Sequence, residues 1–228
     1  MESTLYDHPG VYDALYAGKE YDAEVAFMLD RASDPDRALV VGCGTGEHAR
    51  RLYEAGLDVV GVDPSPAMVG RARTKSDAEF CVGTLPKLPV AADFDLVAAP
   101  FTVLNYLSSA ELVPALADLA ARVADDGVLI LDTGDFPEMT APALQIAVGP
   151  DGDCARLFQF HRESGRSARM DALVFHDTSW FVDRHTLTTF TDEEVRTALA
   201  ELGFTVERRD WYTDRTIMPD PSVFVAHR

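Results

Sequence analysis

Four short, mainly apolar stretches mark the first 135 residues: Ala38-Leu39-Val40-Val41, Asp58-Val59-Val60-Gly61-Val62, Phe94-Asp95-Leu96-Val97-Ala98 and Val128-Leu129-Ile130-Leu131. Runs of this length suit strands buried on both faces of a parallel sheet. Glu79-Phe80-Cys81-Val82 is a shorter fifth candidate. Helical patterns lie between them at Glu47 to Ala55, Pro66 to Thr74 and Glu111 to Ala124. Strand and helix therefore alternate as in βαβ units, with helices on both faces of the sheet. Ser108 or Ser109 is placed to cap the helix containing Glu111, and Gly56 and Gly127 to relieve strain after helices.

The rhythm changes near Pro137. Residues 144 to 190 hold extended, partly alternating segments such as Ala155 to His161 and Met170 to His176, with turns expected at Asp151-Gly152-Asp153 and Glu163-Ser164-Gly165-Arg166. Thr191 and Glu194 form a capping box for a helix running to about Leu202 and stopping at Gly203. Phe204 to Arg208 and Ser222 to His227 supply two closing strands. The pattern predicts one α/β domain over 1–228, with an antiparallel insertion at 140–188.

Composition narrows the partners. Twenty Lys+Arg stand against 38 Asp+Glu, a formal net charge of −18 over 228 residues. The densest basic run, Arg71 to Lys75, is short and followed by Asp77 and Glu79. Nucleic acid, which needs a basic stripe along its phosphates, is not an expected partner, nor is an anionic membrane surface. Cys43, Cys81 and Cys154 are widely spaced, and the six histidines gather no metal-ligand set, so no disulfide scaffold or metal site is expected. No apolar run reaches the ~20 residues of a membrane span. With the acidic start Met1-Glu2-Ser3, which does not resemble a signal peptide, this predicts a cytoplasmic protein.

The strongest local signal is Leu39-Val40-Val41-Gly42-Cys43-Gly44-Thr45-Gly46-Glu47-His48. An apolar strand feeds a Gly-x-Gly-x-Gly turn that opens a helix. Asp63 closes the next strand, where a carboxylate accepts both hydroxyls of a ribose. Together these residues specify a nucleoside-bearing cofactor. The dinucleotide fingerprint needs glycine at position 47, but Glu47 stands there and would oppose a pyrophosphate at the helix N-terminus. S-adenosylmethionine carries no phosphate and escapes that objection.

The turn Val41 to Gly46, Asp63 and the segment Ser65-Pro66-Ala67-Met68-Val69-Gly70-Arg71-Ala72-Arg73 resemble those of class I S-adenosylmethionine-dependent methyltransferases. The opening Val11-Tyr12-Asp13-Ala14-Leu15-Tyr16 with Lys19-Glu20-Tyr21, then Arg169-Met170-Asp171 and Leu187 to Phe190, resembles the small-molecule group containing the amino-sugar N,N-dimethyltransferases. The resemblance implies a Rossmann-like α/β fold with a mostly parallel seven-stranded sheet and an antiparallel β insertion. It also implies a secondary-metabolic enzyme that converts S-adenosylmethionine to S-adenosylhomocysteine. The glycine turn (Gly42, Cys43, Gly44, Gly46) would lie under the methionyl part and ribose, with His48 and Tyr12 also in contact and Asp63 on the ribose. Pro64 and Met68 would face the adenine. Thr84, with Leu85, stands where the group has an acid for the adenine amine, so its hydroxyl and nearby backbone are expected to serve. Ala99 and Pro100, with Phe101, match the region that receives the methionine amine.

Tyr12 and Tyr16 share a helical face and form a lid, with Tyr16 matching a tyrosine near the reactive methyl in the resembling enzymes. Tyr21 belongs either to the lid packing or to the pocket. Asp132 follows the fifth strand on the ligand side and is a candidate to attract or deprotonate an amine, with Asp135 beside it. His161 or His176 is a candidate base beneath an insertion roof. Phe158, Phe160, Trp180, Phe181 and Phe190 would supply an apolar wall. The expected acceptor is a small molecule, foremost the nitrogen of an amino sugar or related amine. The alternatives are O- or C-methylation of another metabolite, and a non-catalytic cofactor-binding regulator. The insertion is expected to cover the pocket, to form a homodimer surface, or both.

Overall fold

The computed structural model describes residues 4–91, 93–149, 152–212 and 221–228. Five parallel strands form its centre: β1 (Arg37–Val41), β2 (Asp58–Asp63), β3 (Glu79–Val82), β4 (Phe94–Ala99) and β5 (Val123–Thr133). The antiparallel strands β10 (Thr205–Arg209) and β11 (Ser222–His227) complete a seven-stranded sheet in the order β10-β11-β5-β4-β1-β2-β3. Leu39 and Val41 join one apolar cluster and Ala38 and Val40 the other, so alternate residues of β1 feed opposite faces. The helices are α1 (Pro9–Tyr16), α2 (Tyr21–Arg31), α3 (Glu47–Glu54), α4 (Pro66–Ala72), α5 (Leu112–Ala120) and α6 (Asp192–Glu201). None is long and apolar enough to cross a membrane.

The expected mostly parallel α/β sheet with an antiparallel insertion is present, while several boundaries moved. The helix expected from Glu111 to Ala124 ends at Ala120, and Val123 already belongs to β5. A bulge explains the error. Phe94 pairs with Val123 but Leu96 pairs with Val128, and Asp126 at φ +63° carries the extra residues. Gly127 therefore serves that bulge rather than a helix end, since a Cβ there would lie 2.9 Å from Val123 Cγ1. Ser108 does not cap α5 in the expected sense: its hydroxyl donates to Glu111 Oε2 at 2.7 Å. The Thr191–Glu194 capping box closes in both directions, at 3.3 and 3.0 Å. Helix α2 has a weak signature in the sequence because its buried face, Tyr21, Glu24, Val25 and Met28, contains a carboxylate.

A second, antiparallel sheet comprises β6 (Ala143–Gly149), β7 (Gly152–Arg162), β8 (Ser167–His176) and β9 (Ser179–Thr188). Asp151, in one expected turn, lies outside the described residues, while Gly152 and Asp153 already lie in β7. The other expected turn closes at Gly165, φ +57°, with Ser167 N donating to Ser164 O. Period-two alternation divides this sheet. Cys154, Arg156, Phe158, Met170, Ala172 and Leu187 face inward, against α1 and Phe136. Leu144, Ile146, Val148, Trp180 and Val182 face out and are exposed. Buried Asn105 clamps this sheet to the main one: its Nδ2 donates to Gly134 O and Thr188 O, and its Oδ1 accepts from Gly134 N.

Candidate functional site

The glycine turn forms the floor of a cavity of about 770 Å³. Gly42, Gly44 and Gly46 all have left-handed φ, at +65°, +54° and +86°. At Gly42 the constraint is also steric, since a Cβ would meet Val103 Cγ2 at 2.3 Å. Asp63 reaches in from the end of β2. Its two oxygens accept from Gly44 N and Ser65 N, each at 2.9 Å, and one edge of the carboxylate lines the cavity. Burial pushes its carboxyl up, and those two N–H groups pull it down. Glu47 stays out of this cavity. Burial raises its carboxyl, but hydrogen bonds from Lys75, Arg51 and Arg50 prevail and hold it at about 2.

The wall after β4 is a strained turn. Phe101 and Thr102 both have positive φ, +67° and +59°. Asp132 holds them there: Phe101 N donates to its Oδ2 at 2.7 Å and Thr102 N to its Oδ1, while the Tyr212 hydroxyl donates to Oδ2 at 2.7 Å. Burial pushes the Asp132 carboxyl up to about 6 against these donors. Asp132 is thus a correction to the expected amine partner. Fully buried, it holds the turn instead of facing the cavity. Phe101 in turn meets the Tyr16 ring edge at 5.0 Å and lies under Lys19 Nζ at 5.1 Å. Lys19 is paired with buried Glu24, which also contacts His48 Nε2 at 2.7 Å.

Aromatic rings from three segments line the middle. Tyr12 and Tyr16 on α1 pack at 4.7 Å. Tyr6, in the 3-10 turn Leu5–Asp7, lies 6.3 Å from Tyr12 and donates a hydrogen bond to Tyr106 of a second 3-10 turn, Val103–Tyr106. The roof is the inner face of β7–β9. Arg156, only 7% exposed, donates to the Tyr16 hydroxyl at 3.0 Å and to Gln145 Oε1 at 2.9 Å. Phe158 and Phe160 also reach the cavity from β7.

The remaining expected residues divide between the cavity and its supports. Pro64, Thr84, Leu85 and Pro100 line it with Gly42, Gly44, Asp63, Tyr12 and Tyr16. Met68 and Ala99 are fully buried and do not line it, and Gly46 opens α3. Cys43, His48 and Tyr21 border a small adjoining recess instead. His161 is a further correction. It alternates away from Phe158 and Phe160 and sits outside near Glu138 and Asp171, at 3.5 and 3.7 Å. His176 is likewise absent from the lining. Trp180 faces outward, Phe181 stacks on His8 at 4.2 Å, and Phe190 belongs to the main core. Sequence reasoning missed Tyr6, Tyr106, Arg156, Asp183 and His185. For Arg156, Asp183 and His185 the available signal was a polar side chain on the otherwise apolar face of an alternating strand, whereas Tyr6 and Tyr106 lie in 3-10 turns with no such period.

The cavity fits S-adenosylmethionine. Its floor offers close backbone approach and the Asp63 carboxylate, which suits a ribose and repels a phosphate, while Glu47, paired with Lys75, Arg50 and Arg51, stands outside it and takes no part in that discrimination. Residues 38–127 match the family model described as a methyltransferase domain. A dTDP-3-amino-3,4,6-trideoxy-alpha-D-glucopyranose N,N-dimethyltransferase from Streptomyces venezuelae is 29% identical, over 88% of this chain and 91% of that one. An amino pentose methyltransferase from Micromonospora echinaspora, solved with S-adenosylmethionine bound, is 31% identical with a TM-score of 0.79 over 96% of both chains. A sugar N-methyltransferase from a Streptoalloteichus species is 29% identical with a TM-score of 0.80, over 95% of this chain and 92% of that one. The glycine turn, Asp63 at the end of β2 and the likeness over nearly the whole chain agree, and the chain belongs to the class I S-adenosylmethionine-dependent methyltransferases.

Proposed function

We propose that this enzyme methylates the nitrogen of an amino sugar or closely related small amine. The observation that carries the reading is the run of tyrosine rings, Tyr6, Tyr12, Tyr16 and Tyr106, between the glycine turn and the roof. Aromatic faces attract cations, and an amine gains or keeps positive charge on methylation. The named activities of the relatives support the same acceptor class. When bound, S-adenosylmethionine supplies an electrophilic methyl group on a sulfonium.

In this reading Asp63 holds the ribose, with Pro64, Thr84 and Leu85 around the adenine and Pro100 toward the methionyl end. Gly46, Cys43, His48, Met68 and Ala99 support these contacts from behind. Tyr16, fixed by Arg156, lies at the transfer position. The protein's work is alignment of the acceptor and exclusion of water. The β6–β9 sheet is the roof. Its exposed outer face, with Leu144, Ile146, Val148 and Trp180, is proposed to pack on the same face of a second copy, since a two-fold axis would cover both at once.

The test is transfer from methyl-labelled S-adenosylmethionine to a panel of dTDP-linked 3-amino sugars, free amino sugars, simple amines, phenols and acids. Label in an amino sugar is expected. Label in oxygen or carbon acceptors, with every amine inert, would overturn the assignment.

A further inference from the structure

Two residues that line the cavity carry a buried polar atom without a hydrogen-bond partner among the described residues: Asp183 Oδ2 and Arg156 Nε. A buried carboxylate oxygen left unpaired is costly, so a ligand donor is expected at Asp183. Asp183 is fully buried on β9. Its Oδ1 accepts from Leu5 N at 2.9 Å and lies 2.9 Å from His185 Nε2. His185, two residues on and on the same face of β9, also lines the cavity. Its ring lies 5.1 Å from Tyr6 and 5.6 Å from Tyr106. In the neutral ring, an Nε2 facing a carboxylate is the one that carries the proton, which leaves the lone pair on Nδ1. No described residue is paired with Nδ1.

We propose that Asp183 and His185 form the acceptor-amine site: the carboxylate receives the ammonium group, and the imidazole removes its proton. This rests on the amine reading above. One N–H bond of the ammonium breaks as an N–H bond forms at His185 Nδ1, leaving a neutral amine and an imidazolium. The freed lone pair is the nucleophile for methyl transfer, and the imidazolium returns its proton to water before the next turnover. The charged and titratable groups around His185 are Asp183 on its own strand, Arg156 on β7, and the hydroxyls of Tyr6, Tyr106 and Tyr16. Met170, opposite it on β8, is apolar. Burial pushes the Tyr106 hydroxyl up, with Asp183 adding to the rise and Arg156 opposing it, so a carboxylate and a guanidinium flank one ring. An acceptor with oxygen functions beside its amine, as in a sugar, would satisfy Arg156 Nε as well.

The probe is dTDP-3-amino-3,4,6-trideoxyglucose, with wild type, Asp183→Asn and His185→Asn compared from pH 6 to pH 9. Asp183→Asn is expected to raise the acceptor KM about tenfold. Calorimetry should show the same weakening of the probe's binding to the enzyme holding S-adenosylhomocysteine, with S-adenosylhomocysteine affinity unchanged. His185→Asn is expected to lower kcat/KM about a hundredfold near neutrality, with recovery as pH rises and the free amine becomes abundant. A His185→Asn defect that is the same at every pH, or wild-type behaviour of both variants on an amine the enzyme does methylate, overturns this site while leaving the amine reading intact. Transfer by wild type to oxygen alone overturns both.

Discussion

The two halves of the cavity are built by different means. The half over the glycine turn is mostly backbone: three left-handed glycines, the Gly44 and Ser65 amides held by the Asp63 carboxylate, and the strained Phe101–Thr102 turn. The other half, proposed for the acceptor, is made of side chains, with tyrosines from two 3-10 turns and α1 meeting Arg156, Asp183 and His185 from alternate positions of β7 and β9. Backbone geometry suits a ligand whose shape is fixed, because a turn built on left-handed glycines tolerates few substitutions. A strand face can exchange side chains without disturbing its ladder, which leaves acceptor choice free to vary.

The sharpest way to break this comparison is Asp63→Ala. It removes the brace of the glycine turn along with the proposed ribose contact, and S-adenosylhomocysteine affinity should fall about a hundredfold. Calorimetry checks it. Unchanged affinity would mean that the two halves do not divide the ligands as argued. Asn105→Leu attacks the join between the halves by leaving Gly134 and Thr188 backbone groups unpaired. A stability loss of about 2 kcal/mol is expected in thermal melts, with acceptor KM suffering before cofactor affinity.

Asp132→Asn sharpens the comparison through pH. The wild-type carboxyl sits at about 6 when folded, above the usual 3.8, because of burial. The folded state therefore holds a proton that the unfolded state has released. That stabilisation is full below pH 3.8 and is lost as pH rises through 6. Asparagine does not titrate, so wild type should gain on the variant by on the order of 1 kcal/mol between pH 7 and pH 5, read from melts at fixed ionic strength. Trp180→Asp should have the smallest effect on the folded chain, within about 0.5 kcal/mol, since the ring is exposed. Sedimentation should show a fall from two copies to one. A single-chain mass for wild type would remove the dimer proposal.

Reading from sequence succeeded where structure is local. The glycine turn, Asp63, the Thr191–Glu194 box and the buried strands announce themselves within a dozen residues, because torsional freedom, capping and double-sided burial each leave a short-range trace. It failed where the decisive fact was a facing or a distant partner. His161 and Phe160 are adjacent, yet strand alternation sends one out and the other into the cavity. Asp132 was placed correctly at the ligand end of β5, but the amides of Phe101 and Thr102 and the hydroxyl of Tyr212, none near it in sequence, claim its oxygens.

By itself, then, the sequence determined the fold class, the cofactor and its floor, since those depend on backbone conformations that particular residues permit. Only the tertiary structure decided which polar groups line the rest of the cavity. Tyr6, Tyr16, Tyr106, Arg156, Asp183 and His185 span nearly 180 positions and converge only when the second sheet folds over α1. Period-two alternation marks two faces on each of those strands, and packing against α1 chooses which one turns inward.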